Sequence, residues 1–196
     1  MRNIIIIALL LMPYCVRSSG GYDNGTATGK GKFRLDLTWN PFNYFDFGQT
    51  YAVGSYGITN YFDIHGYISD HQGKSQSWYG GIFYQFLNRN KIHLATAIGI
   101  RGYFGGESKK QLFLPQLLYC AFINDRIFIG GSFVNVRGWN LSTKYGTSID
   151  LGLFFNLKYS TKNIEKISLG LGGFHPATWK PDKFFLPTYS ININFR

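Results

Sequence analysis

Charged residues, cysteines and long apolar runs are all scarce in this chain of 196 residues. Charged side chains make up only 15% of it, and the Glu, Lys and Ala that fill helical surfaces are few. No apolar run reaches the ~20 residues that a membrane-spanning helix needs. We therefore expect neither a helical domain nor helical insertion into a bilayer.

Cysteine is limited to two residues, Cys15 and Cys120. Cys15 lies inside a predicted leader, so the mature chain has one thiol and no intrachain disulfide. No spacing of His and Cys indicates a zinc site, and no basic helix indicates nucleic-acid binding. The sequence predicts no metal, no cofactor and no nucleic-acid partner.

Aromatic residues and glycine are abundant instead. Aromatics reach 18% and Gly numbers 24, a mixture rich in strand formers that favours an all-β fold. The formal net charge is +10, which favours anionic neighbours such as phosphorylated lipid.

Three segments follow from the order of residue types. Residues 1–19 have a basic start at Arg2, an apolar core and small residues at Ser18 and Ser19, the pattern of a cleaved signal peptide. Residues 20–32 are small and polar, and we expect them to form a flexible periplasmic segment. Residues 33–196 alternate with period 2 and form the predicted barrel domain.

We count ten strands in that domain. The first, residues 33–41, sets Leu35 and Leu37 against Arg34 and Asp36. The others are predicted near 49–58, 62–70, 77–87, 91–103, 111–123, 126–137, 147–159, 166–173 and 184–196. Short connections follow the even-numbered strands and longer ones the odd-numbered strands, which is the layout of a closed antiparallel transmembrane up-and-down β-barrel. Eight or twelve strands remain open as alternatives.

Alternation also predicts which side chains meet lipid and which meet the lumen. The predicted lipid-facing residues are apolar: Leu35, Leu37, Ile149, Leu151, Leu153, Phe155, Ile191, Ile193 and Phe195. The predicted polar network of the lumen comprises Arg34, Asp36, Asp63, His65, Arg101, Asp150 and Lys158. Because buried charges need partners, we favour a lumen plugged by ion pairs over an open channel. Strands two, four, six and seven are apolar or aromatic on both faces, so their facing stays ambiguous.

The last strand, residues 189–195, alternates apolar residues and ends in the aromatic Phe195. With the leader and the alternating connections, it resembles a small bacterial outer-membrane β-barrel protein. That resemblance implies location in the outer membrane and contact with its lipid and lipopolysaccharide. It also implies recognition of the C-terminal strand by the barrel-assembly machinery.

For function, we expect a non-catalytic membrane component with an envelope-structural, surface-binding or narrow-channel role. The first alternative is an outer-membrane enzyme that hydrolyses lipid A or peptide through Asp70 and His71. The sequence is similar to the omptin proteases in strand count and in that pair. The second alternative is a soluble secreted carrier of the lipocalin type, since alternation by itself does not say which face meets the core.

Overall fold

The computed structural model describes residues 24–39, 49–71, 76–104, 110–138, 144–175 and 186–196. They contain ten strands. In chain order these are β1 (Phe33–Trp39), β2 (Gln49–Gly57), β3 (Phe62–His71), β4 (Ser77–Arg89), β5 (Ile92–Tyr103), β6 (Gln111–Asn124), β7 (Ile127–Gly138), β8 (Lys144–Asn156), β9 (Ile164–His175) and β10 (Leu186–Phe195).

The strands form one closed antiparallel barrel in which each strand pairs with its neighbours in sequence and β1 pairs with β10. The closing seam runs from Phe33 opposite Phe195 to Trp39 opposite Tyr189. These pairs place aromatic rings at both ends of the seam, with centroids 5.8 Å and 6.1 Å apart. The predicted ten-stranded fold is confirmed, and the alternatives of eight and twelve strands are wrong.

The strand bounds differ little from the predicted ones. β8 shows the largest difference, because residues 147–159 were expected and the strand spans Lys144–Asn156. Leu157 to Tyr159 continue the apolar alternation, but they lie beyond the last residue that pairs with β9, Asn156. The apolar alternation in the sequence therefore continues past the end of the β8–β9 pairing into the connection that follows.

Large apolar side chains lie exposed on the outside of the barrel, and polar ones lie buried inside it. In β3, Ile64 and Ile68 are exposed while Asp63, His65 and Ser69 are buried. The exposed set comes from strands all around the ring and includes Leu37, Tyr56, Ile82, Ile98, Leu117, Phe133, Leu151, Phe155 and Leu169. Since successive side chains of a strand point to opposite faces, one face of every strand meets the lumen.

The structure shows which side chains face the interior in the four strands whose facing was ambiguous, β2, β4, β6 and β7. In β4, Tyr79, Phe83 and Gln85 are buried, whereas Ile82 and Tyr84 are exposed. The other three turn the following buried residues inward: Tyr51, Val53 and Ser55 of β2; Gln116, Leu118 and Cys120 of β6; and Phe128, Ser132, Val134 and Val136 of β7. The lumen thus holds aromatic as well as polar side chains.

The described residues contain no helix long and apolar enough to cross a membrane. The four connections that follow even-numbered strands to the next strand are short and described, and we call their side of the barrel the tight-turn end. The longer connections lie largely outside the described residues, as does the predicted signal peptide.

Residues 24–32, which we call the N-terminal segment, run from the barrel interior, where Asn24 and Gly25 are buried, to the rim of the tight-turn end, where Lys30 and Gly31 are exposed. The composition of residues 20–32 predicts a flexible segment. The described part of it instead makes hydrogen bonds to side chains of the inner wall, and Asn24 is buried. The residues of the segment are too small to form a hydrophobic core. They fit in the narrow lumen because little space remains between the polar side chains that line it.

Candidate functional site: the barrel interior

Six of the seven residues predicted for the lumen are buried in strands: Arg34, Asp36, Asp63, His65, Arg101 and Asp150. The seventh, Lys158, is a correction. It follows the end of β8 and is exposed in the connection at the tight-turn end. Solvation of its ammonium group outweighs the alternation that placed it inside.

The N-terminal segment pairs with the backbone of Gly57 near the rim, where Gly31 donates to the Gly57 carbonyl at 2.8 Å and Gly57 donates to the Lys32 carbonyl at 3.0 Å. Deeper in the lumen, side chains of the wall accept its backbone N–H groups. Ala27 donates its N–H to Gln85 Oε1 at 2.9 Å, and Thr28 donates to Asp63 Oδ2 at 2.7 Å. The Thr26 hydroxyl lies 2.9 Å from Nδ1 of His93. Since buried backbone donors need acceptors, Gln85 and Asp63 stabilise the segment in the lumen.

Arg34 joins the N-terminal segment to the start of β1. Its Nε lies 3.1 Å from Oδ2 of Asp36, and its guanidinium also donates to the Thr26 carbonyl at 2.7 Å. A second ion pair, between Lys32 and Glu165 at 2.6 Å, lies at the rim, where both side chains are partly exposed. The segment is therefore fixed by charges at its exit as well as by its backbone.

Gly25 lies so close to the wall that a side chain has no room. A Cβ there would lie 2.8 Å from both the His93 carbonyl oxygen and the Cα of Tyr119, and 2.9 Å from the Leu118 carbonyl oxygen. Real Cβ atoms do not approach backbone so closely. The glycine lets the segment lie directly against β5 and β6.

Farther from the tight-turn end, Tyr79 connects three strands through the lumen. Its hydroxyl lies 3.1 Å from His65 Nε2 and accepts a hydrogen bond from Gln116 Nε2 at 2.9 Å. Its ring stacks on Tyr67 with centroids 5.0 Å apart. A Cβ added at Gly81 or Gly99 would overlap this ring, so these glycines make room for it.

A second aromatic group lies where the sequence pattern of β8 breaks. Phe154 is fully buried and stacks on Phe128 with centroids 4.7 Å apart. Cys120 packs in the same cluster and is 1% exposed, and the side chain of Thr26 in the N-terminal segment lies beside its thiol. The N-terminal segment therefore covers the single thiol of the described chain.

A cavity of about 200 Å³ lies between the N-terminal segment and the wall at the tight-turn end. Asn24, Thr26 and Thr28 line it from the segment, and Lys32 and Glu165 line it at the rim. Its wall includes Arg34, Phe122, Phe128, Lys166, Ser168, Asn192 and Asn194. The volume is many times the ~10–15 Å³ that a single water requires.

Of the predicted rim pair, Asp70 and His71, the structure describes only the Asp70 side chain. Asp70 lies near the end of β3 and is exposed; its register parity is that of the outward Ile64 and Ile68. His71 pairs with Gln49 in the ladder, but its side chain lies outside the described residues. Within the described ranges, no group of three or more His, Cys, Asp or Glu side chains is arranged to hold a metal ion.

The sequence pattern did not identify Tyr79, Gln85, Gln116 and Lys166. The first three lie on strands whose facing was ambiguous. A signal for Lys166 was present, because it shares parity with Ser168 and with the glycines of β9 that face the lumen. For the N-terminal segment no local signal existed, since its contacts join residues far apart in sequence.

The fold and its interior define a closed, up-and-down, ten-stranded β-barrel with an apolar outer surface and a polar and aromatic lumen that the N-terminal segment enters. No protein-family model matches the chain, and no curated protein matches it. Among solved structures the chain is similar to a KdgM porin, at 12% sequence identity and a TM-score of 0.49, over 84% of this chain and 98% of that one. The barrel assignment here stands on the strand pairing alone.

Proposed function

We propose that this protein is an integral outer-membrane β-barrel, without catalytic activity, whose narrow solute path is closed by its N-terminal segment. The observation that carries the membrane part is the outer surface, where Ile68 and Ile123 are each 60% exposed. A surface of this kind all around a barrel is costly in water and favourable in lipid. Closure of the barrel supports the same conclusion, because it pairs the strand backbones that lipid leaves unsatisfied.

Orientation follows from the connections. In barrels of this class the tight turns face the periplasm and the longer loops face outward. The N-terminal segment would then enter the lumen from the periplasmic side. Contact with outer-membrane lipid and lipopolysaccharide, and recognition of the C-terminal strand by the barrel-assembly machinery, are parts of this proposal.

The nature of the segment's contacts supports a removable plug. The segment is held by hydrogen bonds and ion pairs, which water can replace when it leaves, and the part that packs on apolar side chains is small, with Ala27 against the cluster around Phe83 and Leu118. A ten-stranded barrel encloses only a narrow interior. A chain segment inside it closes most of that space.

The test is conductance in planar bilayers. The full chain is compared with a variant that lacks residues 24–31 and keeps Lys32. We expect rare or no unitary steps from the full chain and frequent steps from the deletion variant. Equal conductance of two correctly folded proteins would reject the plug, and solubility of the folded protein without detergent would reject the membrane assignment.

A further inference from the structure

The cavity beneath the N-terminal segment contains polar groups that the fold itself does not satisfy. Both amide atoms of Asn192, Nδ2 and Oδ1, are buried and have no hydrogen-bond partner among the described residues, and Asn192 as a whole is 2% exposed. Thr28, which lines the cavity from the N-terminal segment, also has a buried hydroxyl without a partner there. Because buried polar groups in folded proteins are nearly always bonded, these two side chains keep hydrogen-bonding capacity for a ligand in the cavity.

The charge of the cavity indicates what kind of molecule that is. Lys32 is paired with Glu165, and Arg34 with Asp36. Lys166 lines the same cavity on the inward face of β9, and within the described ranges no salt bridge includes it. Its ammonium nitrogen lies 5.3 Å from the ring centroid of Phe128, a contact that leaves its hydrogen-bond donors available.

We propose that this cavity is a binding site for a small oxyanion, a carboxylate or a phosphate. Lys166 supplies the positive charge and hydrogen-bond donors, and the Asn192 amide supplies a further donor. Asn192 Oδ1 and the Thr28 hydroxyl bind a hydroxyl or protonated oxygen on the same molecule. The cavity is smaller than the ~300 Å³ at which pockets for drug-sized ligands begin, so the ligand is a small molecule.

The site is formed only when the N-terminal segment is in place, because Asn24, Thr26 and Thr28 make up one side of it. The inference goes beyond the proposed function and does not require the lumen to open. A barrel that never conducts still presents the site. Binding is therefore measured on the folded protein in detergent, without a membrane or a conductance signal.

The experiment is isothermal titration calorimetry of the full chain, folded in detergent in phosphate-free buffer, with inorganic phosphate, acetate or glycerol. We expect saturable binding of at least one of the two anions and none of glycerol. Phosphate alone, acetate alone or both support the site and identify which oxyanion it prefers. Failure of both anions to bind, or equal binding of glycerol, overturns the proposal.

Variants locate the binding. Lys166→Gln removes the charge, and affinity is expected to fall roughly tenfold or more. Lys158→Gln makes the same change of charge at the same end, on a residue that does not line the cavity, and should bind as the unmodified chain does. Asn192→Leu removes an amide whose atoms bond nothing in the fold, so it should fold and also bind more weakly. Unchanged affinity in Lys166→Gln overturns the proposal; if that variant does not fold, unchanged affinity in Asn192→Leu does so.

Discussion

Thr28 donates its backbone N–H to the carboxylate of Asp63 at 2.7 Å, across a separation of 35 residues in sequence. With the bond from Ala27 to Gln85, it fixes the N-terminal segment to the inner faces of β3 and β4. A charged acceptor makes this one of the stronger contacts that hold the segment. The segment's position in the lumen therefore depends on a few identifiable side chains.

Replacing Asp63 with Ala should loosen the N-terminal segment. A hydrogen bond to a charged group contributes about 1.5–3 kcal/mol, so the population with the segment displaced should rise roughly tenfold or more. Cys120 reports this change, since the segment covers it. In a Cys15→Ser background, the rate at which a water-soluble maleimide modifies Cys120 should rise in Asp63→Ala.

The control is Asp125→Ala, which removes an exposed carboxylate from a tight turn that does not touch the segment. Its rate should equal that of the parent. Equal labelling rates in the Asp63 and Asp125 variants would mean that the Asp63 carboxylate does not hold the segment.

Gly25→Val should displace the segment by steric conflict. The new Cβ would lie 2.8 Å from backbone atoms of β5 and β6, which cannot move without breaking their ladder. We expect bilayer conductance to increase toward that of the deletion variant. Gly80→Val is the matched control, because Gly80 is exposed on β4 and a Cβ there meets no atom within 4 Å. A silent Gly25→Val protein in the folded state would contradict the prediction.

Leu151→Arg should destabilise the barrel in lipid, because Leu151 lies exposed in the middle of β8. An arginine on the lipid face near the bilayer midplane costs about 2–4 kcal/mol. Leu157→Arg makes the same substitution in the connection after β8, at a site that is also exposed, and should cost about 0–1 kcal/mol. Urea unfolding from lipid vesicles measures both, and comparable losses would place Leu151 away from the hydrocarbon.

Tyr79→Phe should lower the free energy of unfolding while leaving the ring in place. The change removes one hydrogen-bond partner each from His65 and Gln116, at a cost of about 1–3 kcal/mol when such groups are buried. Tyr84→Phe alters an exposed tyrosine of the same strand and serves as the control. If both variants unfold at the same urea concentration as the parent, the Tyr79 hydroxyl does not stabilise the lumen.

The barrel itself was predictable from the sequence, because β1, β3, β5 and most of β8 alternate strictly enough to identify the strands and to separate their two faces. The aromatic strands were not, since polarity no longer distinguishes their two faces. Phe154 illustrates the reason. It points inward because Gly130 and Gly170 leave space there, and a Cβ at Gly130 would lie 3.2 Å from its ring. That space depends on pairing among three strands, which no local window contains.

The position of the N-terminal segment could not be predicted from the sequence for a related reason. Its small polar residues have no periodicity, and its bonds reach 35 and 58 residues along the chain. Of the two side chains that accept its hydrogen bonds, Asp63 was assigned to the lumen from the alternation of β3. Gln85 was not assigned, because the facing of β4 was ambiguous. Six of the seven residues assigned to the polar network lie in the lumen, but one of them, Asp63, bonds to the backbone of the N-terminal segment.

The seam between β1 and β10 has a consequence for assembly. The N-terminal segment leads directly into β1, the strand that completes the ring, and the Lys32–Glu165 pair spans its exit to β9. If β1 and β10 pair before the segment is in place, the segment has to enter the closed barrel past its rim. For the proposed plug, the order in which the last strand docks and the first residues enter the lumen therefore determines whether the newly made barrel is closed or open.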